Sequence, residues 1–386
     1  MATNYLINGS EFSNNFIPKE AFTSGNLWNW GFNSSGALGD NTTANKSSPV
    51  QTVVTATNWN FCTAGGYHSA AVKTDGTLWL WGKNDYGQLG DGTTTSTNTG
   101  RSSPVQTVST GTTWKMVSSG GYGDCTAAIK SDGTLWSWGR NQYGQLGDST
   151  TTSRSSPVQI AGTNWKIIDC GGHAMGAIKT DGTLWTWGYN GYGGLGDSTS
   201  TSRSSPVQIA GTNWKTLAVS VYLETSTGAI KTDGSLWTWG RNNYGQLGDG
   251  TTTDRSSPTQ ISGTWKQIST GFSYNSGYMS AIKTDGSLWS WGRNNFGQFG
   301  DGTGTSSSSP VQTISGGNNW KMVSAGCEFT GAIKTDGTLW MWGKNYVGSL
   351  GDGTTGHKSS PVQIAGTNWK IVHCGSSHAI AVRDNS

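Results

Sequence analysis

A five-residue motif, Leu-Trp-x-Trp-Gly, recurs seven times and constrains the fold of this chain more than any other feature. The copies begin at Leu27, Leu78, Leu135, Leu184, Leu236, Leu288 and Leu339. They are separated by 51, 57, 49, 52, 52 and 51 residues, a period that is typical of propeller blades and longer than most helical repeats. Seven copies at this spacing predict seven copies of one structural unit.

Each copy of the motif has the pattern of a β-strand with one tryptophan-bearing face. Residues at i and i+2 of a strand point to the same side, so both indoles of a motif lie together. Indoles are large and apolar, and their burial favours packing of neighbouring sheets against one another. A third tryptophan recurs in every unit, which places all 21 tryptophans at three positions of the repeat.

One full unit is clearest between Gly176 and Val219. A short strand that ends at Lys179 is followed by an Asp-Gly hairpin turn and by the strand that begins at Leu184. A long polar loop leads to a third strand near Pro206, and a fourth strand begins at Trp214. Four antiparallel strands per unit are typical of a propeller blade. We place the first of these strands nearest the axis.

The two ends of the chain complement each other. The chain stops after a first strand, Ala381 to Arg383, whereas Leu27 and Trp28 begin a second strand that lacks a first. Pairing of these segments completes one blade and closes the ring by main-chain hydrogen bonds. We therefore predict an all-β, seven-bladed β-propeller over residues 26–386, with one blade shared between the termini. For residues 1–25, we expect an arm that either docks on a larger assembly or packs as a strap on the propeller.

Charge and cysteine content argue against several classes of protein. The net charge is +3, and the basic residues follow the repeat instead of forming a separate patch, so we do not expect nucleic acid binding. The five cysteines are odd in number and show no Cys-x-x-Cys spacing, which indicates buried free thiols. Residues 1–25 lack the basic start and apolar core of a secretory signal, and no apolar run is long enough for a membrane span.

Three units contain Gly-Gln-Leu-Gly, at Gly87–Gly90, Gly144–Gly147 and Gly245–Gly248, preceded by Trp-Gly-x-Asn. Over residues 26–386 the chain thereby resembles the regulator of chromosome condensation repeat family. The resemblance implies a seven-bladed propeller used as a binding platform; the family includes a nucleotide exchange factor for a small nuclear GTPase and a bacterial β-lactamase inhibitor. The near-identical Thr/Ser-rich blades and the leading arm also resemble repeat proteins of large marine bacteriophages. Since one fold hosts many functions, the resemblance implies the fold more strongly than the activity.

The units differ most in the connection that precedes the first strand. Strand directions place this connection and the long polar loop on one face, around one mouth of the central channel. The connections bring aromatic rings and a few acids, and no Lys or Arg, which favours contact with sugar rings or a cationic protein surface. The candidate ligand- or partner-binding residues are Tyr67, Tyr122, Asp124, Tyr222, Glu224, Tyr274, Tyr278, Glu328 and Phe329. The alternative is that these residues only plug the channel.

Two rings of charge have structural explanations. Seven cations end the first strands, each beside the acid of an Asp-Gly turn, and we favour a balanced surface there over an anion site. Seven further acids lie in the long loops, where Leu-Gly-Asp-Gly-Thr lacks the alternating oxygen ligands of a calcium loop. We predict that these carboxylates cap their loops and that the chain has no metal site.

The sequence shows no phosphate loop, His-Glu-x-x-His or Gly-x-Ser-x-Gly motif. We therefore predict a non-catalytic propeller without cofactors, which binds a protein or glycan macromolecule through the variable loops at one channel mouth. The first interpretation of this function is a bacteriophage virion component that recognises a host surface. The alternative is an intracellular protein–protein regulator of the exchange-factor or enzyme-inhibitor type. The expected location is the virion or the cytoplasm, respectively, without membrane insertion.

Overall fold

The computed structural model describes residues 25–384, apart from positions 55, 96–99, 110, 123, 221–224, 274–275 and 315–316. Within these residues, 28 β-strands form seven blades of four antiparallel strands. The predicted fold class is therefore confirmed. The predicted arm, residues 1–25, lies outside the described residues except for Gly25, with which the first strand begins.

The strands of each blade are grouped here by their distance from the axis. The innermost strands are β3 (Trp59–Ala64), β7 (Trp114–Ser119), β11 (Trp165–Cys170), β15 (Trp214–Val219), β19 (Trp265–Ser273), β23 (Trp320–Ala325) and β27 (Trp369–Cys374). The second strands are β4 (His68–Lys73), β8 (Cys125–Lys130), β12 (Ala174–Lys179), β16 (Ser226–Lys231), β20 (Ser276–Lys283), β24 (Phe329–Lys334) and β28 (His378–Asp384). The third strands are β1 (Gly25–Gly31), β5 (Leu78–Gly82), β9 (Leu135–Gly139), β13 (Leu184–Gly188), β17 (Leu236–Gly240), β21 (Leu288–Gly292) and β25 (Leu339–Gly343). The outer strands are β2 (Lys46–Gln51), β6 (Arg101–Gln106), β10 (Arg154–Ile160), β14 (Arg203–Ile209), β18 (Arg255–Ile261), β22 (Ser307–Gln312) and β26 (Lys358–Ile364).

Each blade starts with its innermost strand, and this corrects the sequence-based grouping. Blade 1 is β3–β6, and four strands at a time follow up to blade 6, β23–β26. Every innermost strand contacts the innermost strands of both neighbouring blades. The strand that begins with the third tryptophan therefore opens a blade, because Trp165 pairs with Lys179 of the unit that follows it. The strands that end in Lys73 and its equivalents are second from the axis, not first as predicted.

The ring closes as predicted, through a blade built from both ends of the chain. Blade 7 combines β27 and β28 with β1 and β2. In the central pairing, Leu27 opposes Val382 and Trp28 opposes Ala381. A further pairing of Gly25 with Trp59 joins blade 7 to blade 1, so these two blades form one eight-stranded sheet.

The second tryptophan of each motif fastens its blade to the preceding one. These seven side chains are fully buried, and each indole Nε1 donates a hydrogen bond of 2.8–3.0 Å to a carbonyl in the long loop of the preceding blade. The residues are Trp30, Trp81, Trp138, Trp187, Trp239, Trp291 and Trp342. The last glycine of Gly-Gln-Leu-Gly makes room for the indole, since Gly90 has a φ of +64° and a Cβ there would lie 2.7 Å from Trp138 Nε1.

A second set of inter-blade hydrogen bonds circles the central channel. The fifth residue of an innermost strand accepts a hydrogen bond from the backbone N–H of the sixth residue in the next blade. This contact occurs at six of the seven junctions, with distances of 2.7–3.4 Å. Between blades 4 and 5 the fifth residue is Ala218, whose methyl group cannot accept a hydrogen bond. The Oγ1 of Thr270, across this junction, is buried without a hydrogen-bond partner.

The five cysteines are buried free thiols, as predicted. Burial raises the pKa of Cys374 to about 12. Burial, followed by the nearby charge of Glu328, raises the pKa of Cys327 to about 12. These thiols therefore pack as small apolar side chains in the blade interfaces.

We expect Ala218→Ser to stabilise the ring, because a serine hydroxyl there can complete the circle of acceptors. A typical intramolecular hydrogen bond contributes about 0.5–1.5 kcal/mol. The opposite substitution is Ser324→Ala, which removes the acceptor of the Cys374 N–H. It should destabilise the protein by about 1–2 kcal/mol. Urea unfolding followed by tryptophan fluorescence measures both midpoints. Equal midpoints for the two variants would show that this circle does not contribute to stability.

Candidate functional site

The antiparallel pairing gives the ring two different faces. One face, the loop face, holds the connections from innermost to second strands together with the long loops between third and outer strands. The other, the turn face, holds the Asp-Gly turns and the connections from outer strands to the next innermost strands. The variable connections thus lie at one mouth of the channel, as predicted.

Two of the predicted contact residues, Phe329 at the start of β24 and Tyr278 two residues into β20, face the next blade. Tyr278 and Phe329 are each 1% exposed, and the Tyr278 hydroxyl donates to the Phe329 carbonyl. The same position holds His68 and His378, whose Nε2 atoms lie 3.0 Å from Thr126 Oγ1 and 2.9 Å from Ser69 Oγ. Burial, as the largest cause, lowers the pKa of both histidines to about 3. This position therefore links blades in the neutral state of the imidazole.

The two predicted acids that the structure describes are buried and paired with cations. Asp124 is 3% exposed and Glu328 is 4% exposed. Lys83 Nζ lies 2.9 Å from Asp124, and Lys344 Nζ lies 2.7 Å from Glu328. Both acids have left-handed backbone conformations, with φ of +47° and +64°, which is uncommon outside glycine. Sequence reasoning expected acids without cations at this mouth, and the cations that join them come from the long loops.

The pKa values of the Lys83–Asp124 pair report both burial and attraction. Burial raises the pKa of Asp124 above its ordinary value, against the opposing charge of Lys83. Burial alone would lower the pKa of Lys83, but the charge and hydrogen bond of Asp124 outweigh it and raise that pKa. The ammonium is the more exposed partner, and its raised pKa reflects the attraction between the two charges.

Aromatic side chains form a row across the mouth. Phe32, Tyr67, Tyr122 and Phe272 contact one another edge-to-face, with successive centroid distances of 5.7, 5.5 and 5.8 Å. Phe272 is 2% exposed and lines the central cavity with the ends of all seven innermost strands. Tyr67 and Tyr122 are half-buried. One end of the row thus fills the channel while the other remains accessible. The predicted contact residues Tyr222, Glu224 and Tyr274 lie outside the described residues.

A ring of stacked cations and aromatics surrounds this row, and sequence reasoning missed it. The cations follow Trp-Gly in the long loops, and each lies over an aromatic ring at 4.3–5.7 Å. They are Lys83, Arg140, Arg241, Arg293 and Lys344, over Tyr67, Tyr86, Tyr192, Tyr244 and Phe296. Backbone hydrogen bonds such as Lys83 N to Tyr67 O (2.9 Å) hold these cations beside the connections.

The loop face has a cleft between blades 6, 7 and 1. It has a volume of about 250 Å³. Phe32, Tyr67 and Tyr346 line its sides, and Tyr346 is 63% exposed. Ser349 and Ser376 also line it, and Ser376 Oγ is buried without a hydrogen-bond partner.

Blade 6, which borders the cleft, departs from the Gly-Gln-Leu-Gly motif, as blades 3 and 7 also do with Gly194 and Ala37. Gln88, Gln145, Gln246 and Gln298 are fully buried at the motif's second position. Gln88 Nε2 reaches across to Asp124 in the connection of the next blade. Ser349 replaces this glutamine in blade 6, and its Oγ donates to Ser377 in the connection of blade 7. Ser349 thus lines the cleft with a side chain shorter than the glutamine of blades 1, 2, 4 and 5.

The long-loop acids cap their loops, as predicted. Asp91 Oδ1 accepts hydrogen bonds from the backbone N–H and hydroxyl of Thr93 and from Asn84 Nδ2. Hydrogen bonds from threonine and asparagine recur in the other blades, as at Asp197. A carboxylate that accepts three donors within its own loop orders that loop.

These features define the class of the protein: a closed ring of tandem repeats with a variable, aromatic-rich mouth on one face. Among known families, the model of the RCC1-like domain matches residues 20–276. The model of the regulator of chromosome condensation (RCC1) repeat matches residues 285–333 and 336–382. The chain belongs to the RCC1-like domain family.

Similar curated proteins are longer than this chain. It is 30% identical over 351 residues to the ultraviolet-B receptor UVR8 of Arabidopsis thaliana, which covers 87% of the chain and 64% of that receptor. It is 28% identical over 373 residues to the human E3 ubiquitin-protein ligase HERC2, covering 92% of the chain and 6% of the ligase. The chain thus spans less than two thirds of each relative.

Solved structures with the same fold include human WBSCR16, with a TM-score of 0.81 at 20% identity over 94% of this chain and 100% of that one. Prp20p of Saccharomyces cerevisiae, described with its binding to Gsp1p and histones, has a TM-score of 0.78 at 18% identity over 95% and 93% of the two chains. At these identities the likeness shows the fold alone. In the portion that the structure describes, no helix has the length and apolar character needed to cross a membrane.

We expect Lys83→Met to destabilise the protein by about 2–3 kcal/mol at pH 7, because it leaves the buried Asp124 carboxylate without its cation. The substitution raises the native pKa of Asp124 further, while the unfolded value stays near 3.9. The native state then binds more protons than the unfolded state between these two values, so stability falls as pH rises through this window. The deficit relative to wild type should therefore shrink as the pH is lowered towards 4.

Urea midpoints at pH 7 and pH 4.5 test this prediction. The control is Lys46→Met, which removes a more exposed cation 3.7 Å from Asp40 and should cost less than about 1 kcal/mol. A deficit for Lys83→Met that equals the control, or that grows at low pH, contradicts the account of this pair.

Proposed function

We propose that this chain is a non-catalytic propeller that regulates a partner protein by binding it on the loop face. The observation on which the proposal rests is the cleft between blades 6, 7 and 1. Its aromatic sides, Phe32, Tyr67 and Tyr346, fit an apolar or aromatic anchor side chain of a partner. An anchor residue in a pocket is the usual centre of a protein interface.

The surroundings of the cleft support a protein partner. Tyrosine and arginine are enriched at protein interfaces, and both recur in the ring around the mouth. Tyr244 and Tyr346 are 38% and 63% exposed. Their neighbours Arg293 and Lys344 share the buried acid Glu328 at 3.7 and 2.7 Å, which holds the rim in place before a partner arrives. A rim that is already ordered loses less entropy on binding.

The relatives favour the regulator among the alternatives raised by the sequence. Prp20p binds Gsp1p and histones, and it has also been described bound to Kap60; all of these partners are proteins. The bacteriophage virion component and the host-surface glycan have no support in these comparisons. The arm of residues 1–25 remains a proposal, as a segment that docks on an assembly or packs on the ring.

The decisive variant is Ser349→Gln, which restores the residue found in other blades and fills the cleft. Wild type and variant would be immobilised, and proteins retained from a lysate of the source organism quantified by mass spectrometry. A protein retained by wild type would then be purified and its affinity measured by calorimetry. We expect Ser349→Gln and Tyr346→Ala each to weaken binding at least tenfold, or about 1.4 kcal/mol.

Ser349→Ala is the matched control, since it leaves the cleft open and should bind within about twofold of wild type. Thermal unfolding confirms that all three variants fold. If Ser349→Gln retains the same proteins with the same affinity, the cleft is not the binding site. If nothing is retained by wild type, the proposed protein-binding role fails.

A further inference from the structure

The turn face carries a ring of lysines at the central channel. The second residue of the innermost strand is a lysine in six of the seven blades. These residues are Lys115, Lys166, Lys215, Lys266, Lys321 and Lys370. In blade 1 the residue is Asn60. All lie at the turn-face end of their strands, where the opposing residue is the last of the second strand or its neighbour.

The charges of this face do not balance. Each second strand ends in a cation beside a turn acid, as Lys73 does beside Asp75. That outer pair is neutral overall, and Lys73 Nζ lies between the rings of Trp59 and Trp79, 4.9 and 4.6 Å from their centroids. The six inner lysines are additional to these pairs. The turn face therefore has a surplus of six positive charges, whereas the whole chain has a net charge of +3.

The arrangement concentrates this surplus at the axis. Lys266 Nζ donates to the Trp320 carbonyl in the next blade at 2.9 Å, so this side chain runs around the ring instead of outward. The carbonyl accepts this hydrogen bond without removing the positive charge, and the nearby Asp285 carboxylate belongs to the turn that already pairs with Lys283. Lys370 Nζ lies 3.5 Å from Asp384, and the adjacent Arg383 keeps blade 7 positive. Burial and the charge of Lys166 lower the pKa of Lys115, which shows that neighbouring members of the ring repel one another.

We propose that the turn-face mouth binds a compact polyanion bearing several phosphate groups. Because the lysines occupy six of the seven positions of one circle, their fields add at its centre, where one small ligand can contact several blades. A nucleic acid needs a row of cations along its backbone. Away from the axis, each cation of this face lies beside an acid, so no such row of net positive charge extends outward. The proposal concerns the face opposite the partner-binding cleft and does not depend on it.

The experiment is calorimetric titration of the full chain with sodium tripolyphosphate. We expect wild type to bind one equivalent, with affinity that falls as salt is added. The triple variant Lys166→Gln/Lys215→Gln/Lys321→Gln should weaken binding at least tenfold. Asn60→Lys completes the ring and should tighten binding about threefold. The control Lys46→Gln/Arg101→Gln/Lys358→Gln removes three more exposed cations of the loop face, changes net charge equally, and should stay within about twofold of wild type.

Three results overturn the proposal. Loss of binding in the loop-face control to the same extent would show that net charge alone attracts the anion. A 20-base-pair duplex DNA is compared with tripolyphosphate at equal phosphate concentration. If the DNA binds more tightly and this binding is lost in the lysine triple variant, the ligand is an extended polyanion instead. No binding by either wild type or Asn60→Lys would show that the ring is not an anion site. Asn60→Lys adds a lysine and removes none, so this result does not depend on whether the triple variant folds.

Discussion

Each blade of this propeller depends on a buried indole N–H that donates to a carbonyl of the blade before it. A buried donor without an acceptor costs about 1–3 kcal/mol, and a tryptophan side chain buries about 150–250 Å². The long loop must therefore pass where its carbonyl meets the indole, as Gln88 O does 2.9 Å from Trp138 Nε1. The same contact requires glycine at position 90, because any Cβ would collide with the ring. One interaction thus explains both the tryptophan motif and the glycine motif.

The fixed path of the long loop determines what the loop face presents. The residue after each Trp-Gly hydrogen-bonds the connection of its own blade, as Lys344 N does with Glu328 O at 2.8 Å. Cations in the loops are thereby held next to acids and aromatics in the connections. Where the loop sequence changes, as at Ser349, the carbonyl still accepts from the indole of Trp30, and a shorter side chain lines the cleft. The features that distinguish one part of this face from another are small departures from the repeat.

Much of the fold could be predicted from the sequence, because a sevenfold repeat with two indoles at i and i+2 admits few architectures. The blade number, the shared blade and the common face of the connections all follow from spacing and strand direction. The phase of the blades could not be predicted, since alternation identifies strands without showing which neighbour each strand pairs with. That error placed Lys73 nearest the axis and hid the true inner ring at Lys166 and its equivalents.

The site was less predictable for two physical reasons. Position alone does not separate a channel plug from a contact surface, and Tyr278 and Phe329 proved to face the next blade while Tyr67 remains half-buried at the mouth. Residues repeated in most blades were interpreted as scaffold, although Arg140 and Arg293 stack on exposed or half-buried tyrosines of the loop face. Repetition in a ring places such residues on the same face many times over, which builds a surface as well as a scaffold.

The most direct test of the central claim is hydrogen exchange of the indole N–H groups, followed by NMR with tryptophan assignments from single Trp→Phe variants. The seven buried indoles of Trp30 and its equivalents should exchange with one common free energy, equal to that of global unfolding, because the ring opens as a unit. The half-buried indoles of Trp79 and its equivalents should exchange faster. Exchange of any of the seven buried indoles at the rate of the half-buried ones would contradict the account, since that blade would then be held by something other than its tryptophan.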